Sequence, residues 1–314
     1  TPEMQKRLIE IGEAAVEFGT FTMQLWRDAI LGSDQFRDMV LSQTYYHRTH
    51  NMGLVDENNC VNFYDGHVRV VDAEGNEVAR YHPSEYRQHV TEHVEPWSYL
   101  KFPYLKKFGW KGFEDGMSSG VYRATPLGRL NAADGMATPL AQEAYEEFYD
   151  YMGGKPVHAT LATHWARAIE LLYAAERLLE LAKHPELTDP NVRVIPENTP
   201  HEGVGTVEAP RGTLTHHYIT DEKGIIQKAN LIVGTTNNHA AICMSIKKAA
   251  QDLIGGGKEI TQGLLDRVEM AFRAYDPCFA CATHSLPGQM DLEVSVLDAE
   301  GRLLAQFDRG HAGV

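Results

Sequence analysis

The segment from Asp276 to His284 has the residue types and spacing best suited to metal chemistry. It reads Asp-Pro-Cys-Phe-Ala-Cys-Ala-Thr-His. Pro277 disfavours helix at Asp276, and the two residues together can open a new helical turn as its N-cap and first residue. Cys278 and Cys281 would then lie on one face near a helix N-terminus, where the helix dipole favours thiolate. Two such sulfurs can chelate one soft metal ion, and His284 could join them or serve a neighbouring site.

Two less specific interpretations of these cysteines remain open. They could be buried and inert, or they could belong to a structural zinc site. Zinc normally needs four protein ligands, and the other two cysteines do not repeat the spacing. Cys60 stands alone in a predicted loop and Cys243 lies on an apolar helix face, so we interpret both as packing residues.

Two further segments place polar groups where the backbone conformation is restricted. In Glu208-Ala-Pro-Arg-Gly212, Pro210 fixes the chain and Gly212 permits a close approach, so Arg211 can be held rigidly over a site. In Gly-Thr-Thr-Asn-Asn, at 234–238, a predicted strand leads into a predicted helix. Such a loop directs hydroxyls and backbone N–H groups at an anion, although an ordinary helix cap has the same pattern.

The elements that position these segments are predicted from apolar periodicity and from turn residues. Helices are expected at 4–31, 139–152, 157–183, 239–254 and 261–275, and hairpins at 67–81, 214–233 and 296–303. The Gly-, Pro- and aromatic-rich stretch 96–138 is expected to wrap the core as ordered irregular chain. These elements predict an α+β, mainly α-helical domain with a large helical core and small antiparallel β-hairpins.

Composition narrows the classes of partner. The chain has 314 residues, of which 43% are hydrophobic, and a net charge of −14. This composition excludes a disordered chain, and the charge argues against nucleic acid or an anionic membrane surface as a partner. Only four cysteines are present, which fits a reducing compartment, and no apolar run is long enough for a transmembrane helix. We therefore expect a cytoplasmic protein.

Taken together, the three segments resemble the C-terminal part of the large subunit of nickel–iron hydrogenases. The resemblance covers essentially the whole chain, and its most specific part is Asp-Pro-Cys-x2-Cys-x2-His. The tract His-Val-Glu-Pro-Trp-Ser-Tyr-Leu-Lys-Phe-Pro, at 93–103, resembles the cytosolic branch, especially the methyl-viologen-reducing kind associated with heterodisulfide reductase. The implied function is reversible heterolytic cleavage of H2 at a nickel–iron centre.

The resemblance also implies roles for individual residues. Cys278 would be a terminal nickel ligand and Cys281 would bridge nickel and iron, whose other ligands are CO and cyanide. Arg211, Thr235 and backbone N–H groups near Thr236 would hydrogen-bond the cyanides, with Pro210 in the same cofactor-binding turn. The better-known pattern of the family has proline where this chain has Gly234.

A base must accept the proton from H2, and this chain offers a cysteine thiolate or the guanidine of Arg211. Because the pKa of arginine lies above about 12, Arg211 needs a fixed carboxylate such as Asp276 and a dry pocket to act in that way. An orienting role for Arg211 therefore comes first, and a proton role second.

The family has a second cysteine pair, in an Arg-x-Cys-x2-Cys motif near its N-terminus, with a proton-accepting glutamate close by. Neither is present here, so residues 1–284 are expected to be one catalytic-subunit domain truncated at its N-terminus. Electrons would leave through iron–sulfur clusters in a separate small subunit, because this chain has no cysteines left for them. An electron-transfer subunit and heterodisulfide reductase would be further partners.

Residues 285–314 are expected to be a cleavable C-terminal extension. In the family a nickel-dependent protease cuts after the histidine of the motif, so His284 would become the C-terminus and ligate a magnesium or iron ion. The alternative is a permanent tail whose strands pair into the subunit.

For the whole chain, the alternatives to a hydrogenase are a metal-free scaffold subunit of a quinone-reducing respiratory complex and a zinc-stabilised structural protein. Keeping both Cys278 and Cys281 argues against the scaffold.

Overall fold

The fold is α+β with a helical core, as predicted. A computed structural model describes residues 1–254, 260–283 and 292–309. Its helices are α1 (Pro2–Trp26), α2 (Asp34–Val40), α3 (Tyr86–His89), α4 (Pro126–Ala132), α5 (Pro139–Met152), α6 (Thr163–Lys183), α7 (His239–Ile254), α8 (Gln262–Arg273) and α9 (Phe279–Thr283). None of these described helices is both long and apolar enough to cross a bilayer.

The strands form one mixed sheet and three small antiparallel units. They are β1 (His50–Val55), β2 (Cys60–Val61), β3 (His67–Val71), β4 (Glu77–Tyr81), β5 (Val90–Val94), β6 (Lys101–Leu105), β7 (Tyr122–Arg123), β8 (Gly135–Met136), β9 (Glu202–Ala209), β10 (Gly212–Thr220), β11 (Ile226–Ile232), β12 (Leu292–Leu297) and β13 (Leu303–Arg309). The mixed sheet has the order β4-β3-β1-β2-β8, with β7 parallel to β1. The other units are the meander β11-β10-β9 and the hairpins β5-β6 and β12-β13.

The largest apolar cluster lies where α1 and α4 to α8 meet, around the fully buried Trp165 and Phe148. Helices α1 and α6 approach closely because two glycines of α1 face α6. A Cβ atom at Gly12 would lie 3.0 Å from the Cα of Leu179, so any larger residue there would push the helices apart. The site described below rests on this helical core.

Most predicted elements are confirmed, and some of their bounds differ. The α5 and α7 bounds and all three hairpins match the prediction, and β9 extends the second hairpin to three strands. Helix α6 starts at Thr163, since residues 160–162 form a 3-10 turn first. The stretch 96–138 is more regular than predicted, because it contains β6, β7, β8 and the fully buried helix α4. The side chain of Thr125 caps the N-terminus of α4, and Pro126 is its first residue.

Candidate metal centre

The two cysteines of the Cys-x2-Cys motif lie at the start of the short helix α9. The carbonyl oxygen of Cys278 accepts the amide of Ala282 at 3.0 Å, so the first helical hydrogen bond closes over the motif. Cys281 follows one turn later, which puts both thiols on the N-terminal turn as predicted. The helix does not begin at Asp276 and Pro277, as the sequence suggested. Asp276 instead adopts φ +49°, a left-handed conformation, and its amide bonds to the carbonyl of Arg273 at the end of α8.

The thiols of Cys278 and Cys281 are hydrogen-bonded to each other. The thiol of Cys281, as donor, lowers the pKa of Cys278, and the nearby positive charge of Arg211 lowers it further. The same contact raises the pKa of Cys281, because its proton is held between the two sulfurs. Cys281 is exposed and Cys278 is half-buried. Two sulfurs on one helical turn, one of them exposed, suit the binding of a soft metal ion.

Arg211 is fixed beside this pair by Asp276. Its Nε donates to the backbone carbonyl of Asp276 at 2.6 Å and lies 3.2 Å from the carboxylate oxygen Oδ2. The prediction that Asp276 orients Arg211 named the carboxylate, and the structure adds the carbonyl. Asp276 turns its carbonyl and its carboxylate toward the same nitrogen, and Cys278 follows two residues later. The guanidinium and the thiols are therefore parts of one local structure.

The third predicted segment, the loop at 234–238, packs against the turn that carries Arg211. A Cβ atom at Gly212 would lie 2.3 Å from the carbonyl oxygen of Gly234, and one at Gly234 would lie 3.2 Å from the amide nitrogen of Gly212. The two backbones touch, with no space for a side chain between them. Glycine at 234 thus has a physical reason in this chain: it allows the contact.

The two threonines of this loop have different surroundings. The Oγ1 atom of Thr235 accepts the amide of Cys278 at 3.1 Å, so this hydroxyl positions the first cysteine. The Oγ1 atom of Thr236 is buried and finds no hydrogen-bond partner within the described part of the chain. A buried hydroxyl without a partner costs free energy unless a bound group satisfies it. Thr236 therefore offers a hydroxyl that is unused among the described residues to any polar group bound here.

Several residues that support the site were not identified from the sequence. The side chain of Asn238 accepts from the amide of Ala124 at 2.8 Å and donates to the carbonyl of Arg211 at 2.8 Å. Arg129 donates to the carbonyl of Ala209, just before Pro210, at 3.0 Å. Among them, only Asn238 could have been suspected from its neighbours in the sequence, since it belongs to the Thr-Thr-Asn-Asn loop.

The described residues form only part of a metal-binding set. In 1–254, 260–283 and 292–309 there is no group of three or more His, Cys, Asp or Glu side chains arranged to hold a metal ion. His284, a predicted ligand, lies outside these ranges. Cys243 packs with the apolar cluster around Phe102, and burial raises its pKa to about 11, which agrees with a packing role. Burial also raises the pKa of Cys60, which lies in β2.

The chain is similar to hydrogenases over most of its length. The model of the nickel-dependent hydrogenase family matches residues 19–284. The chain is 48% identical, over 97% of its length, to an iron-sulfur subunit of the F420-non-reducing hydrogenase of Archaeoglobus profundus. It is 47% identical, over 82% of its length, to the beta subunit of the NAD-reducing hydrogenase HoxS of Cupriavidus necator. The chain spans 62% of the first of these relatives and 52% of the second.

Solved structures agree with the sequence comparison. An NAD+-reducing [NiFe]-hydrogenase in the H2-reduced state superposes with a TM-score of 0.81 at 34% identity, over 90% of this chain and 60% of that one. A [NiFeSe]-hydrogenase of Dm. baculatum, 18% identical, shares the fold with a TM-score of 0.56, over 90% of this chain and 60% of that one. The predicted resemblance is confirmed: the chain belongs to the nickel-dependent hydrogenase family.

Proposed function

We propose that this chain is part of the catalytic subunit of a nickel–iron hydrogenase, which cleaves H2 reversibly into two protons and two electrons. One observation carries the proposal. Cys278 and Cys281, Arg211 with its partner Asp276, and the unpartnered hydroxyl of Thr236 belong to three segments that pack together. Family membership supplies the reaction, and this arrangement supplies the groups that the reaction needs.

The sulfur pair fits a nickel–iron centre. In the proposed site Cys278 and Cys281 would hold the nickel–iron centre, together with a cysteine pair that this sequence does not contain. When bound, the centre supplies an electrophile at which H2 becomes acidic enough to split. The hydrogen bond between Cys278 and Cys281 supports this assignment, because it keeps the two sulfurs close enough to serve one site.

The iron ligands CO and cyanide are a finer part of the proposal. A cyanide nitrogen is a hydrogen-bond acceptor, and this chain offers it three kinds of donor. These are the guanidinium N–H groups of Arg211, the hydroxyls of Thr235 and Thr236, and the amides of the 234–238 loop. Thr236 supports this assignment most directly, because its buried hydroxyl lacks a partner among the described residues. Pro210 and the contact between Gly212 and Gly234 hold this donor set in place.

Arg211 orients the reacting groups first and handles protons second. Its Nε is occupied by Asp276, which leaves the two terminal nitrogens available to other partners. A charged guanidinium there stabilises negative charge that develops as H2 is polarised. The proton passes to a cysteine thiolate. Arg211 would accept it only as the neutral guanidine, and the carboxylate of Asp276 would then stabilise the guanidinium that forms.

Electrons leave to an iron–sulfur small subunit in this proposal. The described chain has one pair of close-spaced cysteines, and the metal centre uses both, so clusters must be held elsewhere. An electron-transfer subunit and heterodisulfide reductase are proposed as the next partners in the chain of electron transfer.

The segment after His284 is proposed to be removed by a maturation protease, which frees His284 to ligate a magnesium or iron ion. In support, β12 and β13 pair with each other, and neither joins another sheet of the described residues. Side chains of the hairpin, Val294 and Phe307, instead face α7 and α8 across a cavity of about 360 Å³. A hairpin that joins no other sheet of the described residues can leave without breaking one. Intact mass of the active enzyme tests this step, and a full-length active subunit would contradict it.

Metal content tests the proposed function against its alternatives. The subunit is expressed with its native maturation system, purified without oxygen and analysed for nickel, iron and zinc alongside H2 uptake. Nickel and iron with H2 uptake support a hydrogenase. Absence of metal would indicate the scaffold alternative, and zinc without H2 uptake would indicate a structural protein.

A further inference from the structure

A buried ion cluster lies behind the turn that carries Arg211. Arg129 on α4 forms a two-pronged salt bridge with Glu170 on α6, with Nε to Oε1 at 2.7 Å and Nη2 to Oε2 at 2.5 Å. Its third nitrogen, Nη1, donates to Glu208 on β9 at 3.1 Å. The side chains of all three are at most 6% exposed. The cluster therefore ties a core helix to the strand that leads into the turn.

The same Nη1 atom of Arg129 also holds the turn directly. It donates to the carbonyl oxygen of Ala209 at 3.0 Å. Ala209 pairs with Gly212, so Pro210 and Arg211 are the two residues that connect the strands. On the other side of the turn, the carbonyl of Arg211 accepts from the side chain of Asn238 at 2.8 Å. Arg129 and Asn238 thus fix the backbone of the turn before and after Pro210.

Glu208 has more hydrogen-bond partners than an ion pair with Arg129 alone would give it. Glu208 accepts the amide of Leu54 at 2.7 Å and the hydroxyl of Thr213 at 2.9 Å, besides the guanidinium of Arg129. Burial raises the pKa of Glu208, and the charge of Arg129 opposes that rise. Replacing a buried ion pair by apolar side chains is often neutral for stability, so such a cluster is better explained by the orientation that it imposes.

We infer that Arg129, anchored by Glu170 and Glu208, is a positioning residue that sets the direction of Arg211 over the cysteine pair. The guanidinium fork is planar, so binding both oxygens of Glu170 fixes where its third nitrogen points. That nitrogen meets the carbonyl one residue before Pro210, and proline passes the constraint to Arg211 through its fixed φ. This inference rests on the proposed function only for the role of Arg211 in turnover. The positioning itself concerns the described chain alone.

The test compares two buried arginines. Arg129→Lys keeps the charge and loses the fork, and Arg123→Lys is the matched control. Arg123 is as buried as Arg129 but donates to the carbonyls of His47 and His158. Amide hydrogen exchange of the peptide 202–220 is measured in the subunit before metal insertion. Turnover and the cyanide infrared bands are measured in the nickel-loaded holoenzyme, for each variant and for Arg129→Lys combined with Arg211→Lys.

We expect Arg129→Lys to speed exchange in the turn about tenfold, and Arg123→Lys to leave it unchanged. Turnover of Arg129→Lys should fall by up to about a hundredfold, which is the effect expected if Arg211 is displaced by about 1 Å. The cyanide infrared bands of this variant should shift. The double variant should be no slower than Arg211→Lys alone, because Arg129 acts through Arg211.

The inference would be overturned if amide exchange in the turn is unchanged in Arg129→Lys. It would also be overturned if the double variant loses turnover by the product of the two single losses. If Arg211→Lys itself keeps full turnover, the proposed role of Arg211 fails, while the exchange result still decides whether Arg129 positions the turn. Should Arg129→Lys not fold, Glu170→Gln replaces it. That variant keeps the shape and weakens the salt bridge, and the same exchange measurement applies.

Discussion

The Nε atom of Arg211 donates a hydrogen bond to the backbone carbonyl of Asp276 at 2.6 Å. The two residues are 65 positions apart in the chain. The carboxylate of Asp276 lies 3.2 Å from the same nitrogen. Because Asp276 has a left-handed backbone, its carbonyl and its carboxylate both reach Arg211. This single residue therefore couples the arginine turn to the cysteine helix, and changes on either side are expected to affect the other.

Arg211→Lys should keep the metal centre and lose most of the turnover. Lysine retains the charge but has one nitrogen, so it cannot bind Asp276 with one nitrogen and offer two others to a bound group. We expect normal nickel and iron content with turnover reduced about a hundredfold or more. Metal analysis and H2-uptake assays on the same preparation measure both quantities. Unchanged turnover would remove Arg211 from the mechanism.

Gly212→Ala should destabilise the subunit strongly. Its Cβ atom would lie 2.3 Å from the carbonyl oxygen of Gly234 and 2.8 Å from that of Ala124, and both are backbone atoms that cannot rotate away. We expect the free energy of unfolding to fall by about 2 to 3 kcal/mol, measured by denaturant titration. Gly205→Ala in the same hairpin is the control, because a Cβ atom there meets nothing within 4 Å. Equal losses in the two variants would show that the contact between the two loops is not tight.

The two threonines of the 234–238 loop should respond differently to the same change. Thr235→Val removes the acceptor of the Cys278 amide and should lower the free energy of unfolding by about 1 kcal/mol. Thr236→Val removes a hydroxyl without a described partner, so the stability of the metal-free chain should stay the same or rise. In the loaded enzyme Thr236→Val should shift the cyanide infrared bands. Unaltered bands would exclude this hydroxyl as a cyanide donor.

Acid should destabilise the fold through His158. Burial, then the positive charge of Arg123, lowers the pKa of His158 to about 4 from its ordinary value of 6.5. The unfolded chain therefore binds more protons than the folded chain between these two pH values. Stability is full above pH 6.5 and is lost as the pH falls toward 4, by up to about 3 kcal/mol for this residue.

His158→Gln should flatten that pH dependence, and His67→Gln, a change at an exposed histidine, should not. Denaturant unfolding at a series of pH values between 4 and 7 measures the difference. Parallel curves for the wild type and His158→Gln would contradict the assignment.

The local parts of the site could be predicted from the sequence, and the long-range parts could not. The cysteine pair, the Pro-Arg-Gly turn and the threonine loop each lie within a few consecutive residues whose backbone preferences are informative. The salt bridge between Arg129 and Glu170 joins residues 41 apart, and neither has a neighbour that indicates a buried charge.

Two errors of prediction have the same physical origin, in tertiary contacts that local patterns do not reveal. Helix α4 was missed because all seven of its residues are buried, so it shows no alternation of polar and apolar positions. The start of α9 was placed at Asp276 because Asp-Pro is a good helix opening. In the fold, the carboxylate of Asp276 is held by Arg211 and its backbone ends the preceding helix.

The central claim, that Cys278 and Cys281 hold a nickel–iron centre, is tested most directly by replacing each cysteine with serine in the full-length subunit. Hydroxyl oxygen is a hard, poorly acidic donor and cannot replace a thiolate that binds soft metals. We predict that Cys278→Ser and Cys281→Ser each lose nickel and H2 uptake, and that Cys243→Ser, at a packing position, keeps most of both. Full H2 uptake in either Cys278→Ser or Cys281→Ser, with loss in Cys243→Ser, would contradict the account.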